Sequence, residues 1–301
     1  MKIFIEPIKK IDDPAAYYKF YHFLNASLHN SNFIKTKNYK NADIFISFVF
    51  NDKEPKDYNP EKLLILDWSD NKKYSIPKCF LYFKKSWSFC NYHMPVCVKK
   101  PPPIIPVNWR PLQEMALPVY FLPPKEKFID VTCPLRESGK ADSPNRKLVL
   151  NTVKSMQLKN SIIGALHEKK FGRESWIHGQ PKQHHDYLNL LSQSKIIVTC
   201  GPSLWEGDSR FWESLASGAC VLSDKISADM GFNPVHGKHC FYYDLQNLDS
   251  LRHLLYYLLK NPTLCKKIGL AGKKLAFTKH QPLARLKQIV NEFINFKLKI
   301  I

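Results

Sequence analysis

Apolar residues in the first part of this chain fall in short runs broken by polar segments, which is how buried strands read. MKIFIEP, NADIFISFVF and KLLILDW predict three strands, and LYFKKSW a fourth. PAAYYKFYHFLNASL, between the first two, has the spacing of an amphipathic helix. Strands alternating with helical segments predict a parallel α/β sheet. From Lys99 to Pro124 prolines dominate (PPPIIPVNWRPLQEMALPVYFLPP). Such a stretch continues neither a helix nor a central strand, and it reads as a linker or an extended wall between domains.

A second α/β unit follows. FIDVTCPL predicts a strand, and PNRKLVLNTVKSMQL a helix with Ser143 as N-cap and Pro144 in its first turn. SIIGALHEKK reads as a strand leading into a loop, ESWIHG as a short strand, HHDYLNLLSQS as a helix, KIIVTCG as a strand, DSRFWESLAS as a helix and ACVLSD as a strand. Gly218 stands at the C′ position of the last of these helices, where a left-handed backbone is common. Beyond Ser250, LRHLLYYLLKNP and LARLKQIVNEFINFKLK have helical apolar spacing. The pattern predicts an N-terminal domain over 1–124, a C-terminal domain over 125–280 and a terminal helix over 281–301.

With 301 residues the chain can bury two moderate cores, and 44% hydrophobic with 24% charged residues is ordinary for a folded protein. Its charge is not ordinary: 45 Lys+Arg against 26 Asp+Glu leave +19, which suggests an anionic partner. Nucleic acid, anionic membrane, phosphorylated cofactor and acidic polysaccharide all satisfy that. No compact basic block or nucleic-acid-binding module stands out, so nucleic acid is not the expected partner. The eight cysteines form no CxxC pair, and several sit in apolar runs, as expected of reduced thiols in a reducing compartment. The N-terminus lacks a signal-peptide core and no apolar run approaches a membrane span. A soluble, cytoplasmic protein is expected, in the host cytoplasm if the chain is viral.

Residues 187–224 carry the chemistry. Helix, strand, loop, helix and strand follow closely, as in a right-handed crossover, whose ligands sit beyond the carboxyl ends of the strands. That places the loop from Gly201 through Gly207 to Asp208, and the helix opening at Ser209, beside a binding crevice. Free N–H groups and the helix dipole there favour phosphate. Arg210 can hold a diphosphate, and Glu213, three residues on and on the same face, can accept hydrogen bonds from ribose hydroxyls. Phe211, Trp212 and Leu215 fall on other faces and read as core. An ordinary surface ion pair would leave the same Arg/Glu spacing.

The string SQSKIIVTCG, its loop, then DSRFWESLASG and an apolar strand resembles the donor half of GT-B glycosyltransferases, nearest to exostosin-like enzymes and the related group-1 domains. The likeness is good over 184–245 and fair from Ile129. Before that it rests on DWSD (67–70) and YFKKS (82–86). It implies a GT-B architecture, two Rossmann-like domains facing each other across a cleft. The implied activity is transfer of a sugar from a nucleotide-diphosphate donor, most simply UDP-xylose or a UDP-hexose, to a glycan hydroxyl.

In that likeness Glu213 binds ribose, while Arg210 and the amides around Ser209 bind diphosphate. The loop carrying Arg136, with Arg146 in the next helix, approaches the phosphates, and Trp176 or His178 flanks the base. Asp67 and Asp70 end a strand where an acceptor base belongs, Asp70 being preferred because Asp67 more easily caps a turn. Lys84, Lys85 and Ser86 line the acceptor side. No metal or other cofactor is expected: there is no DxD triplet, and His184 with His185 has no further clustered ligand. Animal exostosin-like enzymes carry a membrane anchor that this sequence lacks; short, anchorless relatives occur in bacteria and large viruses. The terminal helix, in a stretch from Lys260 with nine Lys and Arg285 against Glu292, packs back on the N-terminal domain or touches an anionic membrane peripherally. A nucleotide-binding module without catalysis and a basic nucleic-acid-binding protein are the alternative functions.

Overall fold

The structure is a computed structural model that describes residues 1–7, 24–29, 31–48, 58–67, 79–84, 109–111, 125–135, 144–164, 182–201, 209–226 and 232–300. Two compact units divide the chain: Met1–Gln113 with Pro282–Ile301, and Glu114–Gln281.

In the first unit, β1 (Lys2–Ile5), β2 (Ile34–Lys35), β3 (Ile44–Phe48), β4 (Leu63–Asp67), β5 (Leu81–Lys84) and β6 (Trp109–Pro111) form one sheet in the order β2-β1-β3-β4-β5-β6. Every neighbouring pair is parallel. All five residues of β3 are buried, as are Leu63 to Leu66 of β4. A parallel sheet covered on both faces demands such continuous apolar runs, so these strands were readable directly. A helical segment, α1, occupies 24–29 and buries Leu24 and Leu28. Short 3₁₀ turns at Tyr39–Asn41 and Pro60–Lys62 lead into β3 and β4, capped by the side chains of Asn38 and Asn59.

The second unit holds β7 (Ile129–Cys133), α2 (Pro144–Ser155), β8 (Ser161–Ile163), α3 (Lys182–Gln193), β9 (Ser194–Val198), α4 (Ser209–Ala216), β10 (Cys220–Asp224), β11 (Phe241–Tyr243), α5 (Asp249–Lys260) and α6 (Pro262–Lys279). Its sheet runs β11-β10-β9-β7-β8, again parallel throughout. Val131, Ile196, Val198 and Leu222 from the strands meet Val149, Leu150, Leu251, Leu255 and Ile268 from the helices in one core. α7 (Pro282–Ile300) belongs to the first unit; it buries Leu286, Ile289, Val290 and Phe293, and the Phe293 and Phe296 rings lie 4.9 and 5.1 Å from Phe80.

Four elements depart from the expectations. β2 and β11 are short edge strands whose partners lie elsewhere in sequence. β6 lies inside the proline-rich stretch that reads as a linker or an extended wall. It is three residues long and at the sheet edge, where Pro111 need not donate to a ladder. α6 is 18 residues long and was not anticipated, because two glycines interrupt it. Those glycines permit its packing: a Cβ on Gly269 would lie 2.3 Å from the Gly218 carbonyl oxygen, and one on Gly272 2.5 Å from that of His239. Gly218 adopts φ +77° after α4, the left-handed conformation its C′ position calls for. The predicted strand ESWIHG and the Ser143 cap lie outside the described residues.

Candidate functional site

In the second unit the chain runs from β7 to β8 on one side, then returns to pair β9 on the other side of β7. Connections leaving in opposite directions open a crevice at the carboxyl ends of β7 and β9. Cys133 ends β7, Thr199 to Gly201 follow β9, and Asp224 and Tyr243 end β10 and β11.

Two arginines reach this crevice from two helix starts. Arg146, in the first turn of α2, donates its Nε–H to the Cys200 carbonyl at 3.0 Å, so a side chain leaving β7 meets the backbone leaving β9. Arg210, second residue of α4, is half-buried. Burial pushes the Cys133 thiol up to about 12, opposed by the Leu135 backbone and by the Arg210 charge, which puts that guanidinium within electrostatic reach of the β7 end. Two cations and two helix N-termini at one sheet edge make a local surplus of positive charge, an arrangement that favours anions.

Glu213 lies one turn deeper on α4, only 4% exposed, and its Oε2 accepts the Tyr187 hydroxyl at 2.9 Å. A surface ion pair does not have that burial. A carboxylate can accept about four hydrogen bonds, and Tyr187 orients this one from α3. The helix beneath is rigidly seated: Phe211, Trp212 and Leu215 are core as expected, and Trp212 stacks on the buried His280 with centroids 3.8 Å apart.

The sequence reading missed three residues, two that brace the strand ends and one that orients Glu213. Asp224 Oδ1 accepts the Gly201 N–H at 2.8 Å and the Ser223 hydroxyl at 3.1 Å. The Tyr243 hydroxyl donates to the Thr199 carbonyl at 2.7 Å, and its burial raises its pKa well above the usual range, keeping it a donor. Tyr187 is the third. Only Asp224, a carboxylate ending a strand, left a local signal.

Ser209 opens α4. Gly207, Asp208, Arg136, Trp176, His178, Asp70, Lys85 and Ser86 lie outside the described residues. Asp67 and Lys84 end β4 and β5, and the register of the first sheet sets them side by side. That sheet has its own switch point between β1 and β3. There Glu6 accepts a hydrogen bond from Ser47, and its N–H donates to Ile46 at 2.8 Å; sequence reasoning overlooked this pair. His184 and His185 fall in the first turns of α3. Among the described residues no group of three or more His, Cys, Asp or Glu could hold a metal ion, and no helix is long and apolar enough to cross a membrane.

Solved structures share this fold. An alpha-glucosyltransferase in complex with UDP and a 13-mer DNA containing an HMU base superposes with a TM-score of 0.60 at 10% identity, covering 98% of this chain and 99% of its own. HepE of Anabaena, in complex with UDP and glucose, gives 0.52 at 9%, covering 98% and 99%. A glycosyltransferase from Rickettsia africae gives 0.52 at 12%, covering 98% of each. These establish the fold. Residues 145–291 match the family model described as glycosyl transferase-like. The chain has the GT-B fold and carries a glycosyl transferase-like domain. The family match spans Arg146, Tyr187, Arg210 and Glu213, the residues described above at the strand-end crevice. It is to the glycosyl transferase-like family at large, not to an exostosin-like branch of it. No curated protein sequence matches the chain.

Proposed function

We propose that this glycosyltransferase moves a sugar from a UDP-sugar to a hydroxyl of a glycan acceptor, with inversion and without a metal. The observation that carries this is the convergence of Arg146 and Arg210 on the β7–β9 crevice, with buried Glu213 one helical turn behind. UDP in the HepE and alpha-glucosyltransferase complexes supports uridine as the nucleoside. Arg210, the amides around Ser209, and Arg146 with Arg136 hold the diphosphate; Glu213 takes the ribose hydroxyls; Trp176 or His178 flanks the base. As the glycosidic bond breaks, negative charge grows on the leaving diphosphate, and the arginines and helix N-termini stabilise it. On the acceptor side Asp70 or Asp67 removes the hydroxyl proton, and Lys84, Lys85 and Ser86 line the approach.

Glu213→Ala tests the donor assignment. Ribose is bound alike in ground and transition states, so the loss should appear in nucleotide affinity. A hydrogen-bonding charged group contributes about 1.5–3 kcal/mol, so the Kd for UDP by calorimetry should rise roughly tenfold to 150-fold. Tyr187→Phe, which removes only the orienting hydroxyl, should weaken binding less. UDP affinity unchanged in Glu213→Ala would reject the ribose role, and no UDP binding by wild type at millimolar concentration would reject the donor.

Metal removal tests the mechanism. With cationic side chains and helix dipoles facing the diphosphate, transfer should continue in excess EDTA. Complete loss there, restored by Mn²⁺ or Mg²⁺, contradicts it. The acceptor panel for this assay should include a DNA oligomer beside glycans, because one solved relative was captured with DNA.

A further inference from the structure

The second unit contains a cavity of ≈ 690 Å³ at the opposite end of its sheet from the arginine crevice. Its wall includes Asp130 near the start of β7, Lys195 and Ile196 at the start of β9, and Ser217 and Gly218 just before β10. Five lysines line it, Lys125, Lys127, Lys195, Lys266 and Lys273, against the single carboxylate of Asp130. That carboxylate is already engaged by Lys195 at 2.7 Å. Lys127 is engaged too, donating to the carbonyls of Ser192, Ser194 and Ser217 at 3.0, 3.0 and 3.1 Å, where α3 and α4 end. Lys125, Lys266 and Lys273 form no ion pair among the described residues.

Three ammonium groups without a carboxylate partner, from two chain segments around one concavity, leave a site short of negative charge, although Lys273 also lies over the Phe277 ring at 5.5 Å. The crowding is felt at Lys127, whose ammonium burial and the neighbouring Lys273 charge push down to about 8. Beside Ser192 and Ser217, the remaining wall is mostly apolar: Leu258 is fully buried, while Leu270 presents a 56% exposed side chain at the rim. Volumes of this order hold small organic ligands. Lysines act as mobile point charges that suit phosphate oxygens, and the leucines suit an adjoining hydrocarbon portion.

We propose that this cavity is a second anion site, taking a phosphate group attached to an apolar portion. A soluble organic phosphate and the headgroup of an acidic lipid share that chemistry, and the test separates them. The full chain carrying Arg210→Ala, which weakens the crevice at the other end of the sheet, is titrated with inorganic pyrophosphate by calorimetry. It is also sedimented with phosphatidylcholine vesicles with and without phosphatidic acid. Lys266→Glu/Lys273→Glu should weaken whichever binding is seen at least tenfold. Lys37→Glu/Lys40→Glu, an equal charge change on exposed lysines of the first unit, should change it less than twofold.

Pyrophosphate binding alone identifies a soluble ligand; binding to phosphatidic-acid vesicles, displaced by pyrophosphate, identifies a lipid. Thermal melting checks that the variants fold, and Lys266→Gln/Lys273→Gln replaces the charge reversal if it does not. Binding to neither probe, or equal effects of the two lysine pairs, would overturn the proposal. Neither outcome depends on sugar transfer, so the proposed function stands or falls separately.

Discussion

Gly269→Ala is expected to destabilise the protein by about 3 kcal/mol or more, the upper range for overpacking a filled interior. The new methyl would lie 2.3 Å from the Gly218 carbonyl oxygen and 3.0 Å from the Ala219 carbonyl carbon. Both are backbone atoms at the turn that ends α4 and starts β10, so neither can swing aside as a side chain would. The better helix propensity of alanine returns only about 1 kcal/mol. α6 would have to lift off the turn, loosening Leu215 beside Gly272 and, through α4, the placement of Arg210 and Glu213. Urea denaturation should show the midpoint falling with its slope unchanged. Lys274→Ala, on the exposed face of the same helix, should stay within about 0.5 kcal/mol. A Gly269→Ala midpoint equal to wild type would mean that α6 does not sit at this distance.

On the acceptor side, Asp70→Asn is expected to lower kcat by roughly 10²–10⁴ while leaving UDP affinity nearly intact. That range is usual for removal of a general base, and a group acting only on the acceptor proton contributes to the transition state alone. Asp67→Asn is the parallel variant. Asp67 is the last ladder residue of β4, in register with Lys84; Asp70 is three residues further along the chain. Activity lost in Asp67→Asn and kept in Asp70→Asn would reverse the assignment. Activity kept in both would turn attention to Glu6 at the first sheet's switch point, and Glu6→Gln should then be inactive if that carboxylate is the base. Retention of configuration in the product, read by NMR of the anomeric proton, would remove the need for a base altogether.

The strands β1, β3, β4, β7, β9 and β10 were legible because each carries a short cluster of apolar residues bounded by polar ones, and burial on both faces of a parallel sheet favours that. The Arg210–Glu213 face of α4 was legible for a related reason. Arg210 and Glu213 stand three apart on one helix, and their spacing alone puts them on one face. The same locality explains the misses. Tyr187 meets Glu213 from 26 residues away, and Asp224 meets the Gly201 amide from 23; no periodicity records such a pair. β6 was hidden by its prolines, which are harmful in a central strand and harmless at the edge that the strand order assigns to it. α6 was hidden by Gly269 and Gly272, whose cost as helix residues is visible locally while their benefit in close packing is not.

By itself, then, the sequence determined what short-range physics controls: two α/β units, the helix starts that favour an anion, and the Arg210–Glu213 face. Tertiary structure decided the rest. Strand order created the switch point between β7 and β9, and it brings Arg146 and Arg210, from separate helices, towards one crevice. Burial turned Glu213 from a possible surface charge into an oriented carboxylate, and the same folding gathered Lys125, Lys266 and Lys273 around one cavity. Each of these depends on which segments become neighbours, a property of chain topology and close packing that no local stretch of residues encodes.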